Sequence, residues 1–128
     1  MSQPVAKQGD CIIAVDVHLV IAEGGGKPEP VSLPFNGLLV ERLSADVLAE
    51  NCAVATVGSL ARQSPGHTVS PKTFAKPPSN QGVVLVGSAT VLVNNQAIAR
   101  HGDSAETCND PADAPVGSVV AVGTVLAG

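Results

Sequence analysis

Part of this chain is written twice, and that repetition constrains the fold more than any local propensity does. Residues 44–59 set against residues 88–103, an offset of 44, keep half of their sixteen positions. Ser44, Ala45, Val47, Leu48, Asn51, Ala53, Ala55 and Gly58 return as Ser88, Ala89, Val91, Leu92, Asn95, Ala97, Ala99 and Gly102. By propensity alone "LSADVLAENCAVA" reads as a helix with a serine N-cap. Its copy, "TVLVNNQAIA", places Asn94-Asn95 between two short apolar runs, the pattern of a hairpin turn. An internal repeat outranks propensity, so both copies are predicted as hairpins, the first turning at Glu50-Asn51. A third, partial copy lies near the start. "VAKQGD" at 5–10 matches "IARHGD" at 98–103 in its alanine, basic residue and Gly-Asp. Three strand-end turns follow, at Gly9-Asp10, Gly58-Ser59 and Gly102-Asp103.

An all-β fold is expected around them. Runs at 11–21, 38–43, 83–86, 90–94 and 119–126 are rich in Val, Ile and Leu and bounded by Gly, Ser, Asn or Pro. "EGGGKPEP" (23–30) and "SPKTFAKPPSN" (70–80) read as loops. The 128 residues suit one domain, 1–128. With two Phe and no Tyr or Trp, the core must be thin, and a chain of this kind needs a metal, a disulfide or a partner as a staple. A net charge of −4 with seven Lys+Arg leaves no basic stripe for phosphate, so nucleic acid is not an expected partner. The apolar windows at 11–22 and 116–128 are too short to span a membrane as helices. No secretory leader pattern opens the sequence. Synthesis in the cytoplasm is therefore expected, with the three cysteines reduced and available to a metal.

Counting forward from the turns is informative. Eight residues beyond Asp10 stands His18, eight beyond Ser59 stands His67, and five beyond Asp103 stands Cys108. Three loops would thus deliver two imidazoles and a thiolate to one ion, and a closed tetrahedral site needs a fourth ligand. His101, the only other histidine, is one candidate; Asp16 or water are the alternatives. The same residues admit a hydrolase, metal-dependent or with Cys108 or Cys52 as nucleophile beside a histidine base. No helix start presents such a nucleophile, and the chain has little bulk for a cleft. Cys52 stands where the second copy has Gln96 and is expected as a packed small residue, Cys11 as a structural one. Gly24-Gly25-Gly26 is not followed by Gly-Lys-Ser/Thr and is not read as a phosphate loop. A β-rich adhesion or cargo-binding module is the third functional class.

"GSATVLVNNQAIARHGD" (87–103) resembles the repeat of the PAAR family, in which Gly-Ser, a Val-x-Val/Ile-Asn-Gly hairpin and Pro-Ala-Ala-Arg lead to Gly-Asp. Gly87-Ser88, Val91-Leu92-Val93-Asn94 and Arg100-x-Gly102-Asp103 stand in register, while Ala97-Ile98-Ala99-Arg100 departs at two of four letters. Cys108 and the run "CNDPADAPVGSVVAVGTVLAG" are similar to the tail of PAAR-like proteins of contractile injection systems. The resemblance implies a small conical fold built from short repeated hairpins, with a metal near its apex. It implies a non-enzymatic tip whose base caps a trimeric β-helical spike and which touches a target envelope transiently, any cargo or effector being bound rather than fused. Such a protein is assembled at the tip of an injection particle and is secreted or virion-like when deployed. Zinc, with iron as the alternative, is the implied metal. A family set of three histidines and one cysteine would map onto His18, His67, His101 and Cys108. Some relatives carry His-Pro-Phe where this chain has Leu33-Pro34-Phe35. Docking is expected through "VVAVGTVLAG", at Val119, Val120, Val122, Val125 and Leu126, because an uncovered strand of this kind would aggregate.

Overall fold

The computed structural model describes residues 2–128, and among them there is no helix. The strands are β1 (Gln3–Pro4), β2 (Cys11–Ile21), β3 (Glu29–Glu41), β4 (Leu48–Ala49), β5 (Cys52–Ala53), β6 (Leu60–Arg62) and β7 (Thr73–Phe74). They continue with β8 (Gln81–Val84), β9 (Leu92–Val93), β10 (Gln96–Ala97), β11 (Ser104–Thr107), β12 (Ala114–Val120) and β13 (Leu126–Ala127). Six of them close a small antiparallel barrel in the order β12-β11-β8-β6-β3-β2, with β12 pairing back onto β2. β7 adds to the far end of β2 through Val20 and Ile21. The remaining strands form three two-stranded hairpins at one end of the barrel: β4 with β5, β9 with β10, and β1 with β13. The repeat is therefore a hairpin in both copies, as its asparagine turns predict. Glu50, Asn51, Asn94 and Asn95 all take positive φ, the signature of that turn.

The third hairpin is assembled from the two ends of the chain, which extends the repeat beyond its sequence match. Val125-Leu126-Ala127 stands where Val47-Leu48-Ala49 and Val91-Leu92-Val93 do, and Val5-Ala6 stands where Val54-Ala55 and Ile98-Ala99 do. Main-chain hydrogen bonds show the equivalence directly. Ala6 N donates to Ala99 O, Ala99 N to Ala55 O, and Ala55 N to Ala6 O, each at 2.9 Å, a closed circle of three. Each alanine is followed by a Gly-Asp or Gly-Ser turn built the same way. Asp10, Ser59 and Asp103 accept the N–H of Lys7, Thr56 and Arg100 at 3.1, 2.9 and 2.8 Å. Gly9, Gly58 and Gly102 sit at φ of 92°, 96° and 88°, where a β-carbon would be strained. From these turns run β2, β6 and β11, and their partners β3, β8 and β12 return to the same end.

Core residues fall into matching sets. Ile12, Ala61 and Ala105 point inward from the outgoing strands, and Leu39, Val84 and Val119 from the returning ones, all with no exposed surface. Gly37, Gly82 and Gly117 lie two residues before the second set. A β-carbon at Gly37 would meet the Phe35 ring at 2.9 Å, and one at Gly82 would meet Ile12 at 3.3 Å. The barrel is too narrow for three more side chains at that level. A second cluster, Val5, Ala49, Val54, Val93, Ile98 and Ala127, fills the space between the three hairpins.

Two expectations need correction. β3 begins at Glu29, not at 38, despite Pro30 and Pro34. Its partner β6 reaches only Leu38, Leu39 and Glu41, so the earlier half is an edge where a missing N–H breaks no ladder. Nor is 119–126 one exposed strand. β12 ends at Val120, Val119 is wholly buried inside the barrel with its N–H on Asp103 O, and Val120 is half-buried opposite Cys11. Those two residues lie in the barrel wall and not on an exposed face.

Ser59 tests the turn chemistry. Its wholly buried hydroxyl accepts from Thr56 N and donates to Arg42 O at 2.7 Å. Replacing Ser59 with Ala strands both main-chain groups. The variant is expected to lose ~1–3 kcal/mol in denaturant unfolding, against almost nothing for an exposed serine.

Candidate metal centre

β2, at eleven residues, runs well beyond the three- and four-residue strands β6, β8 and β11, and its inward positions change character along it. Ile12 is apolar, whereas Asp16 and His18, which share its face by the two-residue period, are polar and buried. His67 reaches the same place from the connection between β6 and β7, and Cys108 from the residue after β11. Since the hairpins sit where these strands begin, the four residues gather at the opposite end of the barrel. Their donor atoms all lie within 4.8 Å of one another. Asp16 Oδ2 is at the middle, 2.9 Å from His67 Nε2, 3.4 Å from Cys108 Sγ and 4.0 Å from His18 Nε2. The His18 and His67 rings meet edge to face with centroids 5.1 Å apart, and Phe74 closes the far side of His18 at 5.6 Å.

The chemistry of this group fits a metal ion. His18 is 1% exposed, and neither of its ring nitrogens has a hydrogen-bond partner. Each such orphan costs ~1–3 kcal/mol in a folded protein, unless a ligand takes it. Two neutral imidazoles, a carboxylate and a thiolate would leave a divalent ion electrically balanced in a buried site, where an uncompensated charge is expensive. A donor set of N, S and a single carboxylate suits borderline divalent ions better than calcium or magnesium, which take oxygen ligands. Burial, with His67 beside it, holds the His18 imidazole below its ordinary value. Burial, with the charge of Asp16 next in weight, pushes the Cys108 thiol up to about 11. That is the opposite direction from an activated nucleophile, and a cation is what would draw the proton off.

Of the residues predicted as ligands, the structure brings His18, His67 and Cys108 together and leaves His101 out. His101 belongs to a turn at the hairpin end, at the place of Gln8 and Val57 in the other copies. Its N–H donates to Pro4 O and its Nδ1 accepts from Ala121 N at 3.2 Å, at the end remote from the other three. Asp16, the alternative, fills the fourth place. Asp110 was not foreseen. Its Oδ2 accepts from Leu19 N at 2.7 Å and lies 3.5 Å from His18 Nδ1, on the side away from Asp16. The sign available in the sequence was its nearness to Cys108. Gln63 Nε2 stands 3.1 Å from His67 Nδ1. Cys11 and Cys52 are half-buried and free, away from the cluster.

Two measurements follow. Elemental analysis of purified protein is expected to find one metal per chain, lost in His18→Ala, Asp16→Ala and Cys108→Ala and retained in His101→Ala. In chelator-treated protein, His18 and Cys108 should limit stability from opposite sides. A histidine depressed by folding contributes fully above its ordinary 6.5 and loses that contribution as pH falls through it. A thiol raised by folding contributes fully below its ordinary 9.0 and loses it as pH rises from there toward about 11. Denaturation midpoints of the metal-free protein should therefore decline below about 6.5 and above about 9, and His18→Phe should flatten the acid limb. The chain matches no protein-family model, no curated protein and no solved structure.

Proposed function

We propose that this chain is a non-enzymatic tip protein that caps a trimeric β-helical spike of a contractile injection system, the role implied by its resemblance to the PAAR family. The observation that carries the reading is the threefold arrangement of the base. Leu48, Leu92 and Leu126 occupy equivalent positions in the three hairpins and are 61%, 63% and 56% exposed. Large apolar side chains set out in this way on an otherwise well-packed end call for a cover. One chain can satisfy a threefold partner by offering the same contact three times, as symmetric subunits do.

The docking surface is accordingly wider than the C-terminal segment. Val122, Val125 and Leu126 remain in it as exposed residues, joined by Val47, Leu48 and Leu92. The centre formed by Asp16, His18, His67 and Cys108 holds zinc in this reading, with iron as the alternative. It lies at the leading end and ties the 63–80 and 108–113 connections to β2, where the short strands have run out and packing alone is thin. A conical outline, contact with a target envelope and carriage of a bound cargo belong to the same proposal. A thiol hydrolase is disfavoured by the buried, proton-holding Cys108.

Co-purification with a trimeric spike protein tests docking. Leu48→Asp, Leu92→Asp and Leu126→Asp each place a charge in a desolvated contact. Each is expected to weaken binding by ~10–100-fold, with circular dichroism and metal content unchanged. A triple variant that binds like the wild type would overturn the assignment of this face.

A further inference from the structure

Asp16 presents two oxygens, and the metal centre accounts for only one of them. Oδ2 faces His67, Cys108 and His18. Oδ1 turns the other way, onto Thr107 and Asn109. The Thr107 hydroxyl donates to Oδ1, and Asn109 Nδ2 lies 3.5 Å from the same atom. Both donors are held in place by further bonds. Asn109 Nδ2 donates to Thr107 O at 3.1 Å and approaches Thr107 Oγ1 at 3.3 Å, while Asn109 Oδ1 accepts from Val17 N at 2.7 Å. Thr107 is 1% exposed and Asn109 6%, so water does not compete for these positions. The two residues flank Cys108 in sequence. One tripeptide thus supplies the thiol and both donors to the carboxylate that stands across from it.

We propose that Thr107 and Asn109 are positioning residues that restrict Asp16 to one metal-binding oxygen, Oδ2, and thereby set the number of donors the site offers its ion. A carboxylate binds a cation through one oxygen or two. Occupying Oδ1 with a hydroxyl and an amide removes the second option, and four residues then give four donor atoms, the count of a closed structural site. Outer partners of this kind commonly change metal affinity by about 10–100-fold when removed. The inference rests on the metal-centre reading.

Cobalt(II), added to the chelator-treated full chain, reads out the donor number through the strength of its visible absorption bands. The wild type is expected to show the intense bands of a four-coordinate ion. Thr107→Val, which keeps the shape and removes the donor, is expected to weaken those bands and lower cobalt affinity about 10–100-fold, while Thr107→Ser restores both. Unchanged bands and affinity in a folded Thr107→Val protein would overturn the proposal. If that variant does not fold, Asn109→Ala carries the test, with the same loss expected and the same unchanged spectrum overturning it. A wild type that takes up no cobalt would sink the metal centre itself, and this proposal with it, a result distinct from uptake that is indifferent to Thr107 and Asn109.

Discussion

Three main-chain hydrogen bonds, from Ala6 to Ala99, from Ala99 to Ala55 and from Ala55 back to Ala6, hold the chain in a closed circle. Only a small side chain fits where three segments meet at that distance, and all three alanines are wholly buried. Everything on either side of the circle depends on it. Ahead of it lie the Gly-Asp and Gly-Ser turns that set the register of the barrel strands. Behind it lie three hairpins, one of them closed by the pairing of Gln3 with Ala127. Breaking one bond of the circle would release a turn, a hairpin and a strand end together.

Symmetry is kept at the hairpin end and abandoned at the other, and the two ends have different physical needs. At the hairpin end, short aliphatic residues pack against their own copies, and Leu48, Leu92 and Leu126 protrude into solvent. At the far end β2 and β3 run on while β6, β8 and β11 stop after three or four residues. Packing there rests on Phe35, the largest wholly buried side chain, and on a polar group around Asp16. Carboxylate, imidazoles and thiol are poor core material unless something binds them. The unpartnered nitrogens of His18 are the clearest sign of that debt.

Much of this was legible in the residues. The offset of 44 turned a helix-like segment into a hairpin, and counting from the turns picked out His18, His67 and Cys108 across the length of the chain. His101, offered as the only other histidine and not by the count, stays outside the group because a histidine two residues before Asp103 lies on the hairpin side of its turn, so its side chain starts at the wrong end. The C-terminal valines misled for a related reason. "VVAVG" looks like one exposed strand, yet Val119 points into the barrel and Val122 out of it, and period-two alternation alone does not say which face is covered. The glycines at 37, 82 and 117, each two residues before a buried Leu or Val, are a further repeat signal in the sequence.

The sequence by itself determined the unit: a hairpin, an alanine, a glycine turn and an outgoing strand, repeated because the same short-range chemistry recurs at each copy. It also determined which donor types were available to an ion. Tertiary structure alone decided that the third copy is split between the chain's two ends, since nothing local to residues 1–10 or 119–128 announces a partner more than a hundred residues away. It decided as well that Asp16, and not His101, completes the group with His18, His67 and Cys108. That choice depends on which end of a closed barrel each side chain enters, a quantity set by strand direction and length and carried by no single segment.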